Sequence, residues 1–134
     1  MSAKHQWNGE RVFREMRRRA QDAAASGGVI IQRNVKLELS RPGRGTHWPG
    51  LPRRSSAPGD PPAVQFGQLR RSQQVDLSGL HNANPLVRVG TNVHYARKLE
   101  CGTKHIAPRP HMRPGLARSK KPVFQEFRKR GLVK

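Results

Sequence analysis

The chain has 134 residues, 34% of them hydrophobic and 5% aromatic, with 13 Gly and 11 Pro; this suits one domain with a small core and much of its length in loops or arms. Lys and Arg number 27 against eight Asp and Glu, a net charge of +19, which points to surroundings rich in negative charge, with nucleic acid first and an acidic protein second. The single cysteine, Cys101, excludes an intrachain disulfide scaffold, and no apolar run approaches the roughly 20 residues of a membrane span.

Residues 8–26, "NGERVFREMRRRAQDAAAS", predict a helix. Asn8 is the N-cap and Glu10 lies in the first turn, where negative charge suits the helix dipole. Val12, Phe13, Met16, Ala20, Ala23 and Ala24 share one face, expected to dock on the core, with Arg14, Arg17 and Arg18 on the other side. Gly27 and Gly28 interrupt, yet Ala20, Ala24, Gly28, Ile31, Val35 and Leu39 continue one stripe. The expectation is therefore one long helix, kinked or straight at the glycines, ending near Ser40. Residues 41–66 are dense in Pro and Gly and predict a long loop or extended arm.

Two strands follow, at roughly 69–77 and 86–91, able to pair antiparallel. "VHYARKLECG" predicts a short helix stopped by Gly102. "IAPRPHMRPG" is a proline-punctuated connection or edge strand. A basic helix from about Pro114 to Arg130 closes the chain, with Pro122 expected to kink it or delay its start. The predicted architecture is α+β: a long N-terminal and a C-terminal helix on a small antiparallel sheet, in a single domain spanning 1–134. The segment 114–134 is its basic helix and tail.

Three constellations could carry chemistry. His94, Cys101, His105 and His111 offer metal-ligand types, but their spacing lacks the close pairs zinc favours, so no metal is expected. Cys101 has histidines near it in sequence but no glycine-rich turn for an oxyanion hole, so no nucleophile is expected. Nucleic-acid binding is supported by charge alone, since a base-stacking platform and the spacings of the known DNA-binding motifs are absent.

An ordered set of motifs does carry a resemblance. "SAPGDPPAVQFGQLRRS" (56–72), "VRVGTNVHYARKLECGT" (87–103) and "RPHMRPGL" (109–116) precede the basic helix. Together they resemble the small neck, or head–tail joining, proteins of long-tailed double-stranded DNA bacteriophages, also labelled tail-completion or minor tail components, over about residues 29–130. The matching positions are Gly67, Leu69, Arg70 and Ser72; then Val89, Gly90, Thr91, Asn92, Tyr95, Ala96, Glu100, Gly102 and Thr103; then Arg109, Pro110, Arg113 and Pro114. Cys101 and His111 depart from the pattern, standing where aromatics are common.

The resemblance implies a structural protein with no catalytic residues and no cofactor. Tyr95 and Leu99 are expected to pack, Glu100 to pair with an arginine such as Arg109 or to cap backbone, and Cys101 to be semi-buried. Its expected place is the virion neck, after assembly in the host cytoplasm, as a ring of identical subunits, sixfold. Its expected neighbours are connector proteins and tail-terminator or tail-tube proteins, with non-specific contact to channel DNA and no membrane. Arg118, Lys120, Lys121, Arg128, Lys129 and Arg130 are the expected electrostatic docking residues. The alternative is a basic nucleic-acid-binding protein that acts alone.

Overall fold

The computed structural model describes residues 7–134; the expected single domain, 1–134, therefore begins outside the described residues. Six elements follow in chain order: α1 (Gly9–Glu38), α2 (Gln68–Arg71), β1 (Gln74–Asp76), β2 (Arg88–Gly90), α3 (Ala96–Cys101) and α4 (Met112–Lys129). The architecture is α+β, with the two long helices packed together beside a two-stranded antiparallel sheet.

The helix α1 runs unbroken through Gly27 and Gly28. Glycine in a helix interior costs about 1 kcal/mol relative to alanine. Close packing offsets it here: a Cβ on Gly27 would lie 3.2 Å from Val123, and one on Gly28 would lie 2.6 Å from Val87 and 2.9 Å from Val75. The glycines are thus where α4 and the sheet press against α1. The helices α1 and α4 run antiparallel, with Asn34 Nδ2 donating to Ser119 Oγ (2.9 Å), Arg118 Nε paired with Glu38 Oε1 (2.9 Å) and Arg130 Nη2 donating to Ser26 Oγ (3.1 Å). Gly115 faces the backbone of Val35.

The core is small. Val35, Leu39, Leu69 and Ala96 are buried together, with Ile31, Val93, Tyr95, Leu99 and Met112 packed around them. The expected stripe through Gly28, Val35 and Leu39 is buried, but its amino-terminal part is not: Val12, Phe13 and Met16 are 54%, 69% and 51% exposed. The reason is length. With 30 residues against 18, α1 outruns α4 by about 18 Å of helix, and every residue from Glu10 to Arg19 is exposed.

Three boundaries differ from the sequence expectation. The first strand shrinks to Gln74–Asp76, because Gly67 (φ +73°) starts a helical turn that takes Leu69 into the core. The second is Arg88–Gly90, paired Gln74 to Gly90, Val75 to Val89 and Asp76 to Arg88. The last helix begins at Met112, before Pro114, and continues through Pro122, so neither a delayed start nor an edge strand near 106–113 occurs.

No helix or strand forms in residues 41–66. Backbone bonds between Gly45 and Ser55 (2.8 Å) and Ser55 and Thr46 (2.9 Å) fold the loop back on itself. Arg44 grips Asp60 with two bonds (2.7 and 3.0 Å), and Gly59 N donates to Pro108 O (3.0 Å). Its tip, around Trp48 and Arg53–Arg54, is exposed.

Candidate functional site

The motif segments, separated by tens of residues in sequence, meet in space. Ser72 Oγ lies 2.6 Å from Thr91 Oγ1, and Ser72 also donates to Leu69 O (2.9 Å). Tyr95 OH donates to Gln68 Oε1 (3.2 Å), while Val93 N donates to Thr91 Oγ1 (3.1 Å). These bonds lash the 67–72 turn to the 91–95 turn over Leu69. Arg70 Nη1 donates to Ser40 Oγ (3.1 Å), tying the same turn to the end of α1.

Glu100 organises the second joint. An α-helix leaves four amide donors at its start without intrahelical acceptors. At α4 these belong to His111, Met112, Arg113 and position 114. Glu100 Oε2 accepts from His111 N (2.7 Å) and Met112 N (3.0 Å), and Oε1 accepts from Arg113 N (3.0 Å). Position 114 is proline, which has no N–H to satisfy. One carboxylate and one proline therefore account for the whole helix start, which is why α4 begins at Met112. Capping, not a pair with Arg109, is the role of Glu100. Arg109 instead donates its own N–H to Leu99 O (2.6 Å) and its Nη1 to Ser56 Oγ (2.7 Å), fastening the proline-rich arm to α3.

Burial opposes the charge on Glu100, but the three amides and the nearby His111 together hold its pKa below the usual carboxylate value. His111 is 1% exposed, and neither ring nitrogen completes a hydrogen bond, although Nδ1 lies 3.1 Å from Glu100 Oε2. Burial is the strongest influence on this imidazole. It outweighs the attraction of Glu100 and the Arg109 backbone and lowers the His111 pKa, favouring the neutral ring.

Gly102 closes α3 at φ +76°, where a Cβ would also crowd Ile106 O and Pro108 at 2.9 Å, so both conformation and space call for glycine. Pro110 is half-buried beside His111; Arg113 and Asn92 are exposed, and a Cβ on Gly90 would meet open space. Cys101 is exposed, not semi-buried, because it ends α3 on the side away from Ala96 and Leu99. Among the described residues no group of three or more His, Cys, Asp or Glu could hold a metal ion, and no helix is long and apolar enough to cross a membrane.

The basic residues of α4 divide into two sets. Arg118 serves Glu38, Lys129 and Arg130 both serve Glu126, and Arg128 stacks over Phe124 (5.5 Å). Lys120 and Lys121 are exposed. Sequence reasoning missed the buried polar ties: Asn34 with Ser119, Gln32 with the Gln73 carbonyl (2.7 Å), and Ser56 under Arg109. The signal for the first was the spacing Gly115, Ser119, two small residues one helical turn apart that admit a close neighbouring helix. Comparison with family models, with curated proteins and with solved structures finds no match to this chain.

Proposed function

We propose that the protein is a structural component of a phage neck, a ring-forming subunit that joins the DNA-filled capsid to the tail. What supports this reading is the role of the motif residues. Gly67, Leu69, Ser72, Tyr95, Glu100, Gly102, Arg109 and Pro114 meet in two joints, and each acts by packing, capping or turning the chain. Residues that act this way specify a shape, and the motif set resembles that of neck proteins. A small core and exposed Val12, Phe13 and Met16 suit a subunit that gains stability by burying surface in an assembly. A closed ring needs two different complementary surfaces on each subunit, and the arm at 41–66 and the basic segment 114–134 are the two candidates.

The test is genetic and biochemical. The protein is expected in purified virions by mass spectrometry. Its deletion from the encoding genome is expected to leave DNA-filled capsids and free tails that do not join. Absence from virions, or normal joining without it, refutes the reading. Trypsin is expected to cut after Arg53 or Arg54 in the free subunit and to spare them in the particle; equal cleavage in both states leaves the arm no part in assembly.

A further inference from the structure

We propose that the groove along the amino-terminal third of α1 receives an acidic amphipathic helix from another protein. Phe13, Met16 and Ala20 lie at i, i+3 and i+7 along α1, and Pro85 and Leu132 continue the apolar lining from two other segments. The result is a concave apolar trough, which fits the ridge of a helix better than the flat face of a bilayer. Arg14 and Arg17 line the same trough against one acid, Glu10, so its charge is net positive and a ridge flanked by carboxylates would find counter-charges in place.

The chain's own acids argue against a second copy as occupant. Glu15, Glu38, Asp60, Asp76 and Glu126 are already engaged by arginines or lysine, and Glu100 caps α4. Of the other two acids, Glu10 lies in the trough itself and Asp22 is farther along α1, and a copy would set 27 Lys and Arg against eight acids, a net charge of +19 per chain, on a rim that is already basic. Nucleic acid would answer the arginines but leave Phe13 and Met16, 69% and 51% exposed, facing water. The inference stands independently of the neck reading, since it follows from the groove and the charge inventory alone.

The probe is a fluorescein-labelled amphipathic peptide of about five helical turns, with a leucine face flanked by glutamates. A second peptide carries lysines in their place. Fluorescence anisotropy with the full chain is expected to show binding of the glutamate peptide and none of the lysine peptide. Phe13→Ser with Met16→Ser, and separately Arg14→Gln with Arg17→Gln, are expected to weaken that binding by about tenfold or more. All four side chains are exposed or half-exposed, so both variants are expected to fold, as circular dichroism would verify.

Equal binding of the two peptides overturns the proposal. So does unchanged affinity in the Phe13/Met16 variant. Loss of self-association in that variant, measured by sedimentation, would assign the groove to a second copy. Loss of binding to phosphatidylglycerol vesicles with peptide affinity intact would assign it to lipid. A short DNA duplex whose binding depends equally on Phe13 and Met16 would assign it to nucleic acid.

Discussion

Replacing Glu100 with alanine removes the acceptor for three amides at once. Hydrogen bonds to a charged group contribute about 1.5–3 kcal/mol each, and loss of a helix cap alone costs about 0.5–2 kcal/mol. Three full bonds cannot be charged to the variant, because Arg113 is exposed and its amide can turn to water. The amides of His111 and Met112 are less accessible, since His111 is buried and Met112 packs on the core. The expected loss is therefore about 2–4 kcal/mol. For a chain of this size that corresponds to a fall of roughly 6–15 °C in melting temperature. Glu100→Gln retains one acceptor oxygen and is expected to lose about half as much. Thermal unfolding followed by circular dichroism at neutral pH measures both. A melting temperature for Glu100→Ala within about 2 °C of wild type would refute the capping argument. It would mean that the start of α4 is held by its packing on α1 alone.

Acidification is expected to destabilise the fold in two stages. The unfolded chain protonates His111 near its ordinary 6.5 while burial keeps the native ring neutral, so stability falls as pH drops through that value. Glu100 contributes above its ordinary 4.5, and that contribution is lost as pH falls towards its depressed native value; a melting temperature that is flat from about pH 7.5 to 5 would contradict the first stage, and one that is flat from about pH 5 to 2.5 the second. Gly115→Ala is expected to cost about 1–3 kcal/mol, because its Cβ would meet the Val35 backbone at 2.9 Å, and it should fall well below Gly27→Ala, which meets only the Val123 side chain at 3.2 Å; equal melting temperatures would contradict the packing assignment. Cys101→Ser is expected to change stability by less than about 0.5 kcal/mol, and the native thiol should react readily with a maleimide; a thiol that reacts only after denaturation would contradict its exposure.

The long helix was legible because one apolar stripe kept its phase across Gly27–Gly28. What the stripe could not reveal was where its cover ended, since that depends on the length of α4, a distant segment. Thus Val12 and Phe13 match the periodicity and still lie in water. The first strand was overextended because Leu69 alternates with polar neighbours, a local pattern that Gly67 overrides by starting a turn. The start of α4 was misplaced for a related reason. Pro114 looks like a boundary in isolation, and only the carboxylate of Glu100, brought from another helix, makes the positions before it helical. The pairing of Ser72 with Thr91 and of Arg109 with Ser56 joins segments whose approach no local pattern encodes.

The antiparallel pairing of α1 with α4 also sets the order in which the chain can become stable. During synthesis α1 is complete once Glu38 is made, but its main neighbour ends at Lys129. At about 5–20 residues per second, the nascent helix waits on the order of 5–20 s for that cover. Throughout this interval Val35, Leu39 and the glycine face lack their native cover, on a segment whose first turns carry Arg11, Arg14, Arg17, Arg18 and Arg19. Charge repulsion between neighbouring nascent chains then keeps apart surfaces whose apolar stripe would otherwise draw them together. The arginines near the beginning of the chain are thus expected to oppose association of incomplete chains, a role that requires no finished fold.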